Sequence, residues 1–351
     1  MRRTLALTIL LVLVAAAPAT AAVPRNWLGV VADGPMTDGS DRESEWALLS
    51  ASGARTVRAA FYWSQGQPTG PATTRFTHSD PVVLAAARQG LTVVPVVQGT
   101  PAWAAAVPGD GASPPRDNAD YGRFLQVLVG RYGPRGTLWT EHPELTARPI
   151  RHWQIWNEPN ITRYWSTQPF AKSYVRLLRA ARRALRKADR GARAILAGLP
   201  NRSWAALRSI YGAGGKRAFD AVALHPYTGK PVNVVKLVAL TRRVMRRYGD
   251  KRKPVWVTEL SWPASVGKTT TTGGFETSDK GQAKRLRKGL VLLARARRKL
   301  RIRRVYWYTW LSTEQGPNAF AWSGLRRMRA GQVVSAPSLS AFRRTAKFLR
   351  R

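Results

Sequence analysis

The sequence predicts a single (β/α)8 barrel with long loops at the carboxyl ends of its strands. Three observations support this prediction. Eight short apolar segments alternate with longer segments in which apolar residues recur at helical spacing, and no internal repeat or linker divides them. Pro and Gly residues punctuate the connections between these segments. Two of the apolar segments end in a glutamate, and barrels of this kind carry reactive side chains at the carboxyl ends of their strands.

The amino terminus has the three-part layout of a secretory signal. Arg2 and Arg3 precede an apolar run over residues 5–17, and small residues follow at 19–21. We therefore predict a signal over residues 1–22, secretion of the protein, and one catalytic barrel domain over 23–351. An uncleaved membrane anchor is the alternative, although residues 4–17 are fewer than the roughly 20 that a membrane span needs.

The strands and helices are expected to alternate along the chain. The predicted strands are 26–32, 56–63, 92–98, the segment between Pro149 and Pro159, 192–198, 219–225, the segment from Val255 to Glu259, and 304–310. The predicted helices are 43–53, 81–89, 121–132, 170–189, 204–211, 232–248, one that begins at Ser278–Asp279, and 338–351. Residues 99–117, 133–149 and 264–277 are expected to be irregular loops, and a hairpin is expected from Gly324 onward.

Two glutamates stand at the ends of apolar strands. Glu158 follows the run HWQIW in the stretch HWQIWNEPN, His152 to Asn160. A carboxyl group beside apolar walls loses hydration in its charged form, so we expect its pKa to rise toward the range in which it exchanges protons. Such chemistry needs a second carboxylate. Glu259 supplies it in the apolar segment VWVTELSWP.

The pairing of WNEPN with WVTELSWP, about a hundred residues later, resembles the retaining glycoside hydrolases of clan A. The segments TPAWA, Thr100 to Ala104, and RYGPRGTLW, Arg131 to Trp139, are similar to family 39 and its relatives in that clan. This resemblance covers nearly all of the chain after the amino-terminal segment. It implies a barrel with the acid/base, Glu158, at the end of strand four and the nucleophile, Glu259, at the end of strand seven.

The resemblance implies a reaction in two steps on an oligo- or polysaccharide. Glu259 would attack the anomeric carbon while Glu158 protonates the departing oxygen, and Glu158 would then act as a base on water. Strands four and seven lie on opposite sides of a barrel, so their side chains are able to approach the roughly 5 Å that this reaction needs. The resembled families act on xylosides, arabinosides, glucosides or glucuronides, and the sequence does not choose among them.

Four further residues receive expected roles in substrate binding from the resemblance. Asn157 would orient the 2-hydroxyl of the sugar. Arg58 interrupts predicted strand two and would lie near the nucleophile, unless it instead projects from the outer wall of the barrel. His225 and Tyr227, in the segment HPY, would hydrogen-bond the nucleophile or a sugar hydroxyl, although a lone histidine is more often structural.

Two tryptophans are candidates for stacking on a sugar ring. Trp103 lies in the loop that is expected to overhang the pocket, where it would either stack on a sugar or plug the barrel rim. Trp310 stands nearest the carboxyl end of predicted strand eight and is the first candidate for a sugar platform. Glu314, just after strand eight, and Asp33, after strand one, compete with the two glutamates for the catalytic roles.

The composition predicts neither a cofactor nor a metal. The sequence has no cysteine, which excludes disulfides, thiolate metal sites and lipid-modified cysteine anchors. Its four histidines lie far apart and show no ligand spacing such as HExxH.

The chain is strongly basic, with 58 Lys and Arg residues against 19 acidic residues and a formal charge of +39. Such a field attracts polyanions, so one interpretation is association with an anionic cell-wall polymer or action on an acidic glycan. The other is Arg-rich and Ala-rich usage from a GC-rich coding sequence, with the charges on solvated helix faces such as 176–190 and 284–304. No RNA-recognition or zinc-finger motif occurs, so we expect no specific nucleic-acid partner, and no transmembrane segment is expected after the signal.

Two other classes of function stay open from the sequence. The first is a barrel that binds carbohydrate without catalysis, although the presence of both glutamates argues against it. The second is a secreted basic adhesin for anionic polymers, in which the barrel is only a scaffold.

Overall fold

The computed structural model of the protein describes residues 22–38, 40, 42–270 and 273–351. Residues 1–21 of the predicted secretory signal lie outside this range, so the signal stays a prediction. Among the helices within the described range, none combines the length and the apolarity that crossing a membrane requires.

Eight parallel strands form one sheet that closes on itself. They are β1 (Leu28–Val31), β2 (Thr56–Tyr62), β3 (Thr92–Gln98), β4 (His152–Ile155), β5 (Arg193–Ile195), β6 (Val222–Leu224), β7 (Val255–Val257) and β8 (Ile302–Trp307). Neighbouring strands follow the order β5, β4, β3, β2, β1, β8, β7, β6. Parallel bridges from Ile195 to Ala221 and from Leu199 to Leu224 join the two remaining edges. The predicted (β/α)8 barrel is confirmed.

Helices lie between the strands and surround the sheet. They are α1 (Glu43–Ala51), α2 (Trp63–Gly66), α3 (Asp80–Arg88), α4 (Asn118–Tyr132), α5 (Thr137–Glu141), α6 (Ala171–Ala188), α7 (Ser203–Gly212), α8 (Pro231–Arg247), α9 (Asp279–Leu300) and α10 (Pro337–Leu349). The predicted helices are all present, with ends that differ by at most three residues. The prediction that 133–149 is irregular is wrong in one part, because α5 lies within it.

Local sequence signals explain several of these boundaries. The Ser278 hydroxyl accepts a hydrogen bond from the Gly281 amide at 3.2 Å and caps the start of α9. The Asp117 carboxylate caps α4 through the Ala119 amide at 2.8 Å. On α6, Tyr174 and Leu178 belong to the buried face while Arg183 faces solvent, so the charge of this helix lies on its solvated side.

The barrel has an apolar interior that is distinct from the core under the helices. Its members lie on or next to six of the eight strands and are Val31, Val94, Ile195, Ala221, Ala223, Trp256 and Tyr306. Arg58 on β2 and Gln154 on β4 are buried polar residues, joined by a hydrogen bond of 2.9 Å. Polar groups therefore extend from the barrel wall toward the carboxyl ends of the strands, where Asn157, Glu158 and Glu259 lie.

A small second sheet follows the barrel. It consists of β9 (Leu311–Ser312), β10 (Arg326–Arg329) and β11 (Gln332–Ser335), with β10 and β11 antiparallel. This pair is the hairpin predicted from Gly324 onward. α10 then packs against α9 and completes the helical layer.

Candidate active site

The chain leaves β4 in a strained conformation. Trp156 and Glu158 have φ angles of 69° and 43°, left-handed values that cost a non-glycine residue on the order of 1–3 kcal/mol. Neighbouring strands hold this conformation, because the Trp156 amide donates to Val97 O at 3.0 Å and the Glu158 amide donates to Gly198 O at 3.2 Å. Backbone strain of this kind concentrates at functional sites, and here it accompanies the placement of Glu158 in the barrel mouth.

Glu259 follows β7 and is held by two donors. Arg58 Nη1 donates to one carboxylate oxygen at 2.8 Å, and the Tyr227 hydroxyl donates to the other at 2.7 Å. Both oxygens are thus directed by side chains from other strands. The arrangement fixes the orientation of the carboxylate in the barrel mouth.

Glu158 and Glu259 lie close together although 101 residues separate them in sequence. One oxygen of each carboxylate and one ring nitrogen of His225 all lie within 4.8 Å of one another. His225 Nδ1 is 2.5 Å from Glu158 Oε1 and 3.5 Å from Glu259 Oε2. The structure therefore brings the two acids singled out from the sequence into a single cluster.

Burial sets the protonation of this cluster. It raises the pKa of Glu158 to about 7, against the opposing effect of the Arg58 and Arg163 cations. Burial also lowers the pKa of His225, to about 3; the nearby Glu259 opposes this shift, and Arg58 contributes to it. The imidazole is therefore neutral near pH 7, with Nδ1–H able to donate to the Glu158 carboxylate.

Arg58 lies inside the barrel, and not on the outer wall. Its Nη2 donates to Asn157 Oδ1 at 2.9 Å, its Nε to Gln154 Oε1 at 2.9 Å, and its Nη1 to Glu259. One guanidinium thus joins β2 to the ends of β4 and β7. The Asn157 oxygen is occupied by Arg58, so its amide hydrogens are the groups left for a ligand.

Arg58, Asn157, Glu158, Tyr227 and Glu259 line a cleft of about 720 Å³ at the carboxyl ends of the strands. Sequence reasoning missed most of its other lining residues, among them Tyr62, Gln98, Arg163, Tyr164, Tyr308 and Phe320. A positional signal existed for three of them, because Tyr62 and Gln98 are the last residues of β2 and β3 and Tyr308 follows β8. The positions of Arg163, Tyr164 and Phe320 depend on loop conformations that strand patterns do not encode.

The prediction that Trp310 is a sugar platform is wrong. Its side chain is completely buried, and its indole N–H donates to Glu45 Oε2 at 3.0 Å. Glu45 is in turn paired with Arg326 at 2.7 Å. Neither face of the Trp310 ring is open to a ligand, so its role is in packing beneath the hairpin.

Trp103 is half-buried and packs against another tryptophan. Its ring packs edge-on against Trp63 with centroids 5.5 Å apart, and its indole N–H donates to Gln67 O at 2.7 Å. Trp103 lies outside the cleft lining as far as the described residues show. Its packing fits the alternative expectation that it plugs the barrel rim.

Glu314 and Asp33, the other two candidates for the catalytic roles, differ in their position relative to the cleft. Glu314 is held in ion pairs with Arg327 at 3.1 Å and Arg329 at 2.6 Å, and is not among the described residues that line the cleft. Asp33 does line the cleft, at the end of β1. Burial raises the pKa of Asp33, and the nearby Arg58 opposes this effect. The cluster within 4.8 Å nevertheless consists of Glu158, His225 and Glu259.

Glu158, His225 and Glu259 offer three ligand atoms that could surround a metal ion. Two observations favour proton chemistry instead. The Arg58 guanidinium lies 2.8 Å from Glu259 and would repel a dication. His225 Nδ1 and Glu158 Oε1 already lie at hydrogen-bond distance, which accounts for both atoms without an ion.

Gly198 lies directly against the His225 ring and leaves no space there for a side chain. A Cβ at position 198 would lie 1.9 Å from His225 Nε2, a buried atom with no hydrogen-bond partner among the described residues. We expect Gly198→Ala to displace the imidazole and lower kcat by about 10- to 100-fold, because small misplacements in an active site have effects of this size. Steady-state kinetics of turnover would measure the loss.

Gly212→Ala is the matched control for this change. A Cβ at Gly212 meets no described atom within 4 Å, so kcat should be unchanged. A folded Gly198→Ala protein with wild-type kcat would show that the position of His225 does not matter for turnover.

No protein-family model and no curated protein matches the chain. Solved structures do match. A family 39 glycoside hydrolase from the gut symbiont Bacteroides cellulosilyticus WH2 has a TM-score of 0.72 and 21% identity, over 94% of this chain and 64% of that chain. The GH39 enzyme from Xanthomonas axonopodis pv. citri has a TM-score of 0.70 and 18% identity, over 93% and 67% of the two chains.

A family 51 α-L-arabinofuranosidase from Bifidobacterium longum is similar at a TM-score of 0.64 and 13% identity, over 95% of this chain and 75% of that chain. The chain shares the (β/α)8 barrel fold of these glycoside hydrolases. At these identities the similarity establishes the fold and leaves the activity to be argued from the site. The chain spans less than two thirds of the Bacteroides structure, so it corresponds to part of that longer protein.

Proposed function

We propose that the protein is a retaining glycoside hydrolase that cleaves O-glycosidic bonds of an oligo- or polysaccharide. The observation that carries the proposal is that one oxygen of Glu158 and one oxygen of Glu259 lie within 4.8 Å of each other at the barrel mouth. Retaining enzymes place these groups about 5 Å apart, whereas inverting enzymes leave roughly 6.5–9.5 Å for a water molecule. The barrel fold and the WNEPN and WVTELSWP segments support the same function.

In the first step Glu259 attacks the anomeric carbon, and the bond from that carbon to the departing oxygen breaks. Glu158 gives its proton to that oxygen. Its pKa of about 7 supports this role, because a substantial fraction of the groups is protonated at neutral pH. In the second step the Glu158 carboxylate takes a proton from a water molecule, whose oxygen attacks the anomeric carbon. The bond from that carbon to Glu259 breaks, and the sugar is released with its original configuration.

The surrounding residues take supporting roles in this proposal. Arg58 and Tyr227 orient Glu259 and balance its charge, and Tyr227 keeps its proton because burial and the nearby Glu259 raise its pKa well above the usual value. His225 orients Glu158 through its Nδ1 hydrogen bond. The Asn157 amide donates to the 2-hydroxyl of the sugar, an interaction that strengthens toward the transition state.

A panel of chromogenic glycosides tests the proposal, with the wild-type protein assayed beside Glu158→Gln. We expect turnover of at least one xyloside, arabinoside, glucoside or glucuronide by the wild type and a large loss in the variant. Binding of carbohydrates without any turnover across the panel would instead support the second candidate, a barrel that binds carbohydrate and lacks catalysis.

The proposal extends to secretion and to retention on an anionic cell-wall polymer. The amino-terminal signal expected from the sequence supports the first part, and the charge of +39 supports the second. We expect binding to an anionic polymer to disappear at high salt while glycoside turnover persists, because screening weakens exposed charges and leaves the buried cluster largely unaffected. Sedimentation with the polymer across a salt series would measure the binding.

Substitutions on the exposed face of α6 test whether its positive charges contribute to polymer binding. Arg176, Arg183 and Lys187 are exposed on that helix, and their replacement by glutamine should weaken polymer binding without changing turnover. A neutral polymer is the control for charge. Equal binding to both polymers at all salt concentrations would contradict electrostatic retention.

A further inference from the structure

A second arginine, Arg163, lines the cleft in addition to Arg58. Arg163 lies five residues after Glu158 on the loop that follows β4, and it lines the cleft beside Tyr164. Its guanidinium carbon is 5.5 Å from the centroid of the Tyr164 ring. The Arg163 cation lowers the pKa of Glu158, so it acts on the acid/base group through space.

The two arginines of the cleft differ in what they bind. Arg58 is buried, and each of its three nitrogens donates to a neighbour, Gln154, Asn157 or Glu259. Arg163 is exposed, and within the described part of the chain it makes no ion pair. A guanidinium presents up to five N–H donors in a planar fork that matches carboxylate and sulfate groups. Arg163 is thus the cleft cation that is open to a ligand.

The proposed reaction defines which part of a substrate would meet Arg163. Glu158 protonates the departing oxygen, so the leaving-group sugar lies on the Glu158 side of the cleft, where Arg163 stands. The sugar that Glu259 attacks lies toward Tyr227, Tyr308 and Phe320, which present uncharged aromatic rings. Asp33, at the end of β1, is three strands away from β4 around the barrel and disfavours anionic groups on its own side.

From this arrangement we infer that the leaving-group subsite accepts a sugar that carries a negative charge. The anionic group is a carboxylate, as in a uronic acid, or a sulfate ester, because Arg163 recognises both by the same geometry. This inference rests on the proposed glycosidase function. It adds a substrate class that the catalytic pair by itself does not define.

Disaccharides test the inference. They share the non-reducing sugar found in the glycoside panel and differ only in the reducing sugar, which is glucose, glucuronic acid or glucose 6-sulfate. At low ionic strength we expect kcat/KM of the wild type to favour the two anionic disaccharides over the neutral one by about three- to fivefold, the effect of one exposed charge pair. The preference should decline as salt is added.

Substitutions of Arg163 test whether this residue causes the preference for anionic disaccharides. Arg163→Gln should reduce the ratio of anionic to neutral kcat/KM toward one. Arg163→Lys should retain part of this preference, because lysine keeps the positive charge but lacks the planar set of N–H donors of arginine. The matched control is Arg247→Gln, which removes an exposed arginine at the end of α8 and changes the net charge equally. Its ratio should equal that of the wild type.

The outcomes separate the two proposals. A preference for both anionic substrates supports recognition of charge, and a preference for the uronic acid alone supports a carboxylate subsite. Equal kcat/KM for neutral and anionic disaccharides in the wild type, or a preference that persists in Arg163→Gln, would overturn the inference while the glycosidase function stands. Absence of turnover for every glycoside would overturn both.

Discussion

Glu259→Ala is expected to lower kcat on an aryl glycoside by a factor on the order of 10⁴ or more, because no covalent intermediate forms without the nucleophile. The substitution opens space next to Arg58 and Tyr227, the donors that hold the carboxylate at 2.8 and 2.7 Å. Azide entering this space should attack the anomeric carbon and restore turnover. The product would be a glycosyl azide with inverted configuration, identified by NMR.

Glu144→Ala is a suitable control, since it removes an exposed carboxylate on another part of the chain and changes the net charge by the same amount. It should leave turnover unchanged. NMR of the first product formed by the wild type should show retention of configuration. Near-normal turnover in Glu259→Ala, or an inverted first product from the wild type, would refute the nucleophile assignment.

Glu158→Gln is expected to lower kcat/KM for substrates with poor leaving groups by about 10²- to 10⁴-fold, the usual contribution of a positioned acid. In the wild type, kcat/KM should fall as the pH rises above about 7, because Glu158 loses the proton that it must donate. Glutamine does not titrate, so this alkaline limb should disappear in the variant. Rates from pH 5 to pH 9 on activated and unactivated glycosides would measure both effects.

The stability of Glu158→Gln separates lost catalysis from lost folding. Burial raises the folded-state pKa of Glu158 from 4.5 to about 7, so the folded protein holds this proton more tightly than the unfolded chain. The contribution of Glu158 to stability is therefore complete below pH 4.5 and is lost as the pH rises through 7.

We expect the free energy of unfolding of Glu158→Gln to exceed that of the wild type by on the order of 1–3 kcal/mol at pH 8, and to match it more closely at acidic pH. Urea unfolding at both pH values would measure the difference. An unchanged alkaline limb in a stable Glu158→Gln protein would contradict the acid/base assignment.

Most of the secondary structure was predictable because its signals are local. Apolar runs such as TVVPVVQ at 92–98 coincide with β3, and the capping residues Ser278 and Asp117 mark the starts of α9 and α4. The shortest strands were predicted too long. β6 was expected over 219–225 and spans Val222–Leu224, because regular pairing depends on neighbouring strands as well as on the run itself.

The candidate site was predictable where it follows from a strand end. Glu158, Glu259 and Tyr227 all line the cleft, as their positions after β4, β7 and β6 suggested. The alternatives for Arg58 stayed open because one buried charge in an apolar run does not reveal which face of the strand it occupies. Its contacts with Asn157 and Glu259, 99 and 201 residues away, place it inside the barrel.

The sequence by itself determined the alternation of strands and helices, the two acids at strand ends and the strongly basic composition, since each depends on residues near one another or on simple counts. Tertiary structure alone decided the distance between Glu158 and Glu259, the burial of Trp310 and the exposure of Arg163 in the cleft. These properties depend on side chains that meet from distant parts of the chain, as Trp310 meets Glu45 across 265 residues. Closure of the barrel sets these distances. They therefore cannot be read from the pattern of residues that are neighbours in the sequence.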